Sequence, residues 1–449
     1  MPIDNIRKTR LKKLENIRKA GFNPYPAKAK RTHTVEEALA SFDGLSRAQT
    51  KISLVGRLRS IREHGGSTFF DFNDETGSVQ GYLKLDKVGE KNYRFFLDNF
   101  DIGDFVEVSG VLFTTKKGEK TIEVSFFNIL AKALLPLPEK WHGLKDVEER
   151  FRKRYLDLIM NPEAKDKLSM RSRIIASLRS VLDKEGFLEV ETPVLQPIPG
   201  GALAKPFKTH LNALKLDLYL RVAPELYLKR LLVGGFEKVF ELGRAFRNEG
   251  MDFSHNPDFT ILEFYWAYHD KEDLMKFTEK MMIELLNETK KSLEITYQGQ
   301  KINFKAPWKV IKFKDLIKNV KEKGTADEKF KIACRKIVGP TFVVDHPVEM
   351  SSLNKAKEGS PKEADRFQVV VGGIELINAY SELNDPIEQE KRFKSKLSQD
   401  RMDHDFIEAL EYGMPPAAGF GMGIDRLVAL LTDSHSLREV ILFPIMRPK

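Results

Sequence analysis

The chain has 449 residues, 41% hydrophobic and 31% charged, with 74 Lys and Arg against 65 Asp and Glu and a net charge of +9. That length asks for two or three domains rather than one core, and the composition is that of a soluble globular protein. No run of about eighteen apolar residues is present to span a membrane, and no apolar stretch follows the basic start MPIDNIRKTRLKKLENIRKAG as it would in a secretory signal. A single cysteine, Cys334, excludes an internal disulfide framework and CxxC zinc sites, so a reducing cytoplasm is the expected compartment. The positive surplus suits a polyanionic partner such as nucleic acid, and equally a merely basic surface.

Residues 4–20 are predicted to be a helix, because Ile6, Leu11, Leu14 and Ile17 recur at helical spacing; Gly21 and Pro24-Tyr25-Pro26 end it. Its other face carries Arg7, Lys8, Arg10, Lys12, Lys13, Arg18 and Lys19, either solvated or tracking phosphates. Residues 50–133 hold short strand-like runs separated by His64-Gly65-Gly66, Glu75-Thr76-Gly77 and Lys117-Gly118-Glu119. Such a run predicts a small closed barrel, and a five-stranded OB-type barrel is a common platform for single-stranded nucleic acid. Phe69 and Gln80 fall on adjacent strands. At least one of Phe69, Phe70 and Phe72 belongs to the core, since successive strand residues face opposite sides.

Residues 134–160 are punctuated by proline and are expected to connect two parts. Beyond them RSRIIASLRSVLDKEGF is an amphipathic helix, VFELGRAFRNEGMDFSHNPDFTILEFYWAY two long strands around a polar loop, and DKEDLMKFTEKMMIELLNETKK another helix. RFQVVVGGIELINAYSEL reads as a strand pair or a bulged strand, and GIDRLVALLTD as a final helix. Strands joined by loops with helices grouped around them predict an antiparallel α+β domain.

Alternation along the second long strand puts Phe259, Ile261, Glu263 and Tyr265 on one face and Thr260, Leu262, Phe264 and Trp266 on the other, which has the composition of a core. A buried Glu263 needs a cationic partner or a cleft. Arg247 ends the alternating set Gly243, Ala245, Arg247 on the preceding strand and is suited to a phosphate or carboxylate. Asn378, Tyr380 and Glu382 share another strand face, and Glu225 precedes a helical run. If these acids converge, their pocket calls for a cation; singly, each is an ordinary surface acid. Gly419-Phe420-Gly421-Met422-Gly423 precedes Asp425, Arg426 and a helix, where glycines either let the backbone approach a phosphate or make a tight turn.

Taken together, these segments resemble the class II aminoacyl-tRNA synthetases, and the bacterial-type lysyl branch in particular. FLEVETPVL with Pro199-Gly200-Gly201-Ala202 is similar to the family's first motif, FRNEG with HNPDFT to the second and GFGMGIDRL to the third. RYLDLI, the block THLNALKLDLYLRVAPELYLKRLLVGG and NAYSELNDP are similar to the lysine branch. The resemblance implies an OB-fold anticodon-binding barrel at 49–135 after a basic helical extension at 1–48, a linker at 136–160, and a catalytic domain at 161–449 built on an antiparallel sheet flanked by helices. It implies ATP-dependent joining of L-lysine to tRNA(Lys) by a cytoplasmic homodimer, with the first motif at the dimer interface and magnesium as cofactor. Arg247 would contact the α-phosphate and the lysine carboxylate. Glu249 would read the adenine amino group, Phe259 and Arg426 would sandwich the adenine ring, and His255 would lie near the phosphates. Gly201 and Glu263 would hold the α-amino group. Glu225, Tyr265 and Glu382 would hold the ε-ammonium, with Asn378 and Tyr380 completing the wall. Glu375 would bind magnesium, and Arg62, Phe69 and Gln80 would read the anticodon.

Three departures from the family pattern bear on function. Gln368 stands where a second magnesium-binding glutamate is usual, keeping a carbonyl oxygen without the charge. The span from Asn319 to Pro340 is shorter than usual, which should remove a contact on the tRNA acceptor side or a packing element. Phe126 stands where an acidic residue helping to read the anticodon is expected. Three other readings compete. A class II ligase for aspartate or asparagine would need a cation facing its substrate, against Glu225 and Glu382. A translation-factor-modifying paralogue would lack residues 50–133. A non-catalytic RNA-binding protein would not keep Arg247, Glu249, Phe259, Glu375 and Arg426.

Overall fold

A computed structural model describes residues 3–138, 146–397 and 401–448. The chain divides into two compact units, residues 1–143 and 144–449.

In the first unit, strands β1 (Ile52–His64), β2 (Ser67–Asn73), β3 (Ser78–Lys84), β4 (Phe105–Thr114) and β5 (Lys120–Ala131) close a barrel in the order β1-β2-β3-β5-β4. All neighbours are antiparallel except β3 and β5. Alternation sorts the phenylalanines of β2: Phe70 and Phe72 are fully buried, while Phe69 points outward and stacks on Tyr82 at 4.6 Å. A helix at Glu90–Asn99, between β3 and β4, adds Tyr93 and Phe96 to the barrel core. Its ten residues are too short a stretch between strand-like runs to stand out by periodicity.

The N-terminal helix runs from Ile3 to Lys19 and packs Leu14 and Ile17 inward. Its basic face is not wholly solvated. Arg10 is buried, donating to the carbonyls of Ala133 and Leu135 at 2.9 Å and of Ile102 at 3.0 Å, and Lys13 pairs with Asp101 at 2.8 Å. These two cations fasten the helix to the loops beside β4 and β5. Arg7, Lys8, Lys12, Arg18 and Lys19 remain exposed.

The second unit is built on an eight-stranded sheet. The six central strands are antiparallel, in spatial order Thr341–Val344, Arg366–Val371, Ile374–Ser381, Ala417–Gly423, Asp258–Ala267 and Lys238–Phe246. Short parallel strands, Lys309–Lys312 and Leu188–Glu189, close the two edges. One sheet face carries Leu262, Phe264, Ile377, Ala379, Phe420 and Met422 against the helices Pro162–Lys184, Lys271–Thr289 and Ile424–Leu431. Phe264 and Phe420 stack there at 4.4 Å, and each ring so buried contributes about 1.5–3 kcal/mol. The opposite face is open to a cavity.

The expected connector at 136–160 is not a plain linker. Residues 139–145 lie outside the described residues, and 146–160 form two helices, Val147–Arg152 and Arg154–Met160, within the second unit. Arg154 is buried, pairs with Asp157 at 2.6 Å and donates to the carbonyls of Leu442 at 3.0 Å and Ile441 at 3.1 Å. It thereby satisfies carbonyls left over at the end of the helix Leu437–Val440. That short helix follows the one expected to be last. The span 319–340 holds a capped helix, Ala326–Cys334, whose Phe330 and Cys334 pack with Phe313, Val343 and Val370. A packing element is therefore present at the shortened segment.

Candidate active site

A cavity of about 470 Å³ lies on the open sheet face. Phe259, Ile261, Glu263 and Tyr265 all line it, as strand alternation requires, and the structure brings Arg247, Glu249, His255, Glu375 and Arg426 to the same cavity. Gly201, Glu225, Asn378 and Tyr380 complete the lining drawn from the expected set.

One end is acidic and buried. Glu225, Glu263 and Glu382 are buried, with Tyr265 and Tyr380 among them. Tyr380 donates to Glu225 Oε1 at 2.8 Å and Tyr265 to Glu263 Oε2 at 3.3 Å. Burial, reinforced by the neighbouring Glu225, pushes the Glu263 carboxyl up to about 8. Burial does the same to Glu382, also to about 8, with the neighbouring Lys229 cation opposing it. Gly201 has a φ of +86°, and a Cβ there would stand 2.9 Å from Ala223 Cβ and 3.1 Å from Glu225 Cβ. Glycine is needed both for that backbone conformation and for that approach.

Lys229 is the residue that sequence reasoning missed. It lies one turn after Glu225 on the helix Glu225–Val233, is fully buried, and reaches Glu225 Oε1 at 2.7 Å and Glu382 Oε2 at 2.5 Å. The cation called for by Glu225 and Glu382 is thus partly supplied from within the chain. Glu382 does not line the cavity but sits one layer deeper, its Oε1 without a hydrogen-bond partner and pressed against Gly419. The i,i+4 spacing of Glu225 and Lys229 in APELYLKRL was the available signal.

The other end is cationic. The Arg247 guanidinium lies 5.0 Å over the Phe259 ring, and its Nε has no hydrogen-bond partner. Burial lowers its affinity for a proton, against the pull of Glu263 and Glu249. A largely buried guanidinium with an unused donor is suited to an arriving anion. Arg426 donates to the Glu375 carbonyl at 2.9 Å and to His255 Nε2 at 3.3 Å. Because arginine only donates, His255 carries its proton on Nδ1, which donates to Asp252 at 3.0 Å. Glu249 is exposed at the rim, where it accepts from the Lys205 N–H at 3.3 Å. Asp425 also went unpredicted. Its carboxylate accepts from the Thr260 N–H at 3.0 Å and pairs with Arg171 at 2.5 Å, which fixes the helix that carries Arg426.

The glycine run corrects a second expectation. Ala417–Gly423 is a central strand, not a loop cradling a phosphate ahead of the helix. Gly419 and Gly421 face the cavity side and keep it open. The structure also gives the direction of the Gln368 amide. Its Oε1 accepts from His346 Nε2 at 2.8 Å and its Nε2 donates to Glu375 Oε1 at 2.5 Å, so the carbonyl oxygen is turned away from Glu375. Burial holds His346 neutral, down at about 3, and the Gln368 Oε1 that faces it places the imidazole proton on Nε2. Among the described residues no three His, Cys, Asp or Glu are grouped to hold a metal. Glu375 alone fits magnesium that arrives on phosphates, an ion commonly held by one or two carboxylates plus substrate oxygens.

On the barrel, Arg62, Phe69 and Gln80 lie on the outer face of β1, β2 and β3. Arg62 pairs with Asp71 at 2.8 Å, and Gln80 accepts from Thr121 at 3.1 Å. Tyr82 continues the aromatic row to Phe113 at 5.8 Å, and Phe126 is exposed.

The comparisons agree with this geometry. Residues 146–447 match the family model of class II tRNA synthetases (D, K and N), and residues 52–130 that of an OB-fold nucleic acid binding domain. A lysine–tRNA ligase of Carboxydothermus hydrogenoformans is 47% identical over all of this chain and 99% of its own length. Those of Fervidobacterium nodosum and Thermotoga maritima are 44% and 43% identical over all of this chain and 95% and 97% of their own lengths. The Fervidobacterium alignment runs over 485 positions, so at least 36 of them face no residue of this chain. The chain belongs to the class II tRNA synthetases of the D, K and N group.

Proposed function

We propose that the chain activates L-lysine with ATP and transfers it to tRNA(Lys). The observation that carries the choice of amino acid is the acidic end of the cavity. Three buried carboxyl groups there share one internal cation, Lys229, and a substrate with two ammonium groups supplies the partners that let more of them ionise. The α-amino group binds at Gly201 and Glu263. The ε-ammonium binds at Glu225 and Tyr265, with Asn378 and Tyr380 as walls; Glu382, one layer deeper, adds negative potential and fixes Lys229. A neutral side chain would leave desolvated carboxylates without a partner, which costs affinity strongly.

Arg247 binds both the lysine carboxylate and the α-phosphate and neutralises the charge that develops between them. A carboxylate oxygen attacks the α-phosphorus, the bond to the bridging oxygen breaks, and pyrophosphate leaves. The terminal ribose hydroxyl of the tRNA then attacks the acyl carbon and AMP leaves. Phe259 and Arg426 hold adenine, Glu249 accepts from its amino group, and His255 faces the phosphates. Magnesium, held by Glu375 and the phosphates, would supply further charge neutralisation. Arg62, Phe69 and Gln80 read the anticodon on the barrel. Exposed Leu188, Val194, Leu195 and Leu216, in and near the first motif, support a homodimer interface there. No helix among the described residues is long and apolar enough to cross a membrane, and a cytoplasmic location is proposed. The test is charging of tRNA(Lys) with labelled lysine beside arginine and ornithine. Selective charging with lysine is expected, and charging with arginine or none at all would refute the reading.

A further inference from the structure

Arg366 is a buried cation that the mechanism above leaves unused. It lines the cavity, is 8% exposed, and makes no ion pair among the described residues. Burial lowers its hold on a proton, against the pull of the neighbouring Glu375. Its Nε donates to Asn378 Oδ1 at 2.7 Å. A guanidinium only donates, so this contact settles which way the Asn378 amide lies. The oxygen faces Arg366, and the NH2 is left for the cavity, where it has no partner among the described residues.

We infer that Arg366 is a positioning residue, which holds the Asn378 NH2 as a donor for the carboxylate of the amino acid substrate. This rests on the ligase reading above and gives Asn378 a role beyond that of a wall. The strand register supports it. Asn378 and Glu263 pair with the same residue, Gly421, from its two sides. They therefore stand level on the sheet, two strand spacings or about 9–10 Å apart at the backbone, with no side chain on the glycine between them. Glu263 takes the α-ammonium, so a carboxylate one carbon away meets the donor on the facing strand. An amide oxygen turned towards the cavity would instead repel that carboxylate. With one carboxylate oxygen on Asn378 and the other on Arg247, the attacking oxygen is aimed at the α-phosphorus.

The experiment compares Arg366→Met and Arg366→Lys in the full chain by lysine-dependent ATP–pyrophosphate exchange. Cadaverine, which is lysine without its carboxylate, serves as competitor. In Arg366→Met the amide is free to turn, and the KM for lysine is expected to rise about tenfold, the worth of one hydrogen bond to a charged group. The KM for ATP should not change, and the inhibition constant of cadaverine should stay within about twofold, because neither depends on a donor to the lysine carboxylate. Arg366→Lys keeps a group that only donates and should return the lysine KM to within about threefold of the parent. A parent-like lysine KM in Arg366→Met would overturn the inference. An equal loss for lysine and cadaverine, or a lysine KM as high in Arg366→Lys as in Arg366→Met, would overturn it in favour of a packing role. Should Arg366→Met not fold, Asn378→Asp decides. Arg366 then still meets an acceptor while the cavity exchanges a donor for a negative charge, so the lysine KM should rise at least about 100-fold and cadaverine should bind no more weakly. An unchanged lysine KM in that variant would overturn the inference. Absence of lysine exchange in the parent would instead strike the ligase reading. Calorimetric binding of lysine and cadaverine then judges Arg366, and an equal loss for both would overturn its role.

Discussion

Replacing Gly419 with alanine puts a methyl carbon 1.9 Å from Glu382 Oε1 and 2.6 Å from the Tyr265 ring. Neither neighbour has room to yield, because Tyr265 is packed at the cavity floor and Glu382 is tied to Lys229 at 2.5 Å. Overpacking of this kind costs about 1–3 kcal/mol. Two residues on, the same change at Gly421 meets nothing nearer than the Asn378 carbonyl at 3.7 Å and Glu263 Cγ at 3.9 Å, which is ordinary contact. Thermal and urea unfolding of the two variants should therefore separate sharply: about 1–3 kcal/mol lost for Gly419→Ala and under about 0.5 kcal/mol for Gly421→Ala. Displacement of the acidic floor by about 1 Å in Gly419→Ala should also raise the KM for lysine by up to about 100-fold with little change in the KM for ATP. Parent-like stability and lysine KM in Gly419→Ala would refute the close-packed floor and the role given to it.

Lys229→Met removes the cation from between two buried carboxylates. Breaking such a pair costs about 3–5 kcal/mol, read by denaturant unfolding, and a loss under about 1 kcal/mol would mean that Lys229 does not hold the cluster. The carboxyls of Glu263 and Glu382, raised to about 8 from an ordinary 4.5, bind protons more tightly folded than unfolded. The stability they confer is complete below about pH 4.5 and is lost as pH rises towards 8, so the substrate-free protein should weaken across that window. The lysine α-ammonium ionises Glu263, which lines the cavity, so calorimetry at pH 7 in buffers of different ionisation heats should show release of about one proton, and uptake or no release would contradict the pocket. Phe69→Ala should weaken binding of an anticodon stem-loop by about 1–3 kcal/mol through lost stacking, with stability little changed. Phe70→Ala, at a fully buried position, should cost about 3–5 kcal/mol of stability instead.

Much of the site was legible because strand alternation is strict. The set Phe259, Ile261, Glu263, Tyr265 follows from period two, and the same rule separates Phe69 from the buried Phe70 and Phe72. What stayed hidden depends on contacts distant in sequence. Lys229 looks like a surface lysine until Glu382, more than 150 residues later, comes to lie beside it. Arg10 belongs to a run of similar cations, and only the carbonyls of Ala133 and Leu135 single it out. The glycines at 419, 421 and 423 suggested a phosphate approach or a tight turn, and only their pairing with the strands at 258–267 and 374–381 shows a strand. Gln368 lacks the charge, as its residue type requires, but the direction of its amide is set by the Glu375 carboxylate that accepts from it and by His346 on its other side, which composition cannot reveal.

The most direct measurement is ATP–pyrophosphate exchange by the purified full chain, run with each of the amino acids in turn at saturating magnesium. Exchange with lysine alone is the expected result, because only lysine brings a second ammonium of the right reach to Glu225 and its neighbours. Exchange with a different amino acid, or with none, would contradict the assignment of the cavity as a lysine-activating site.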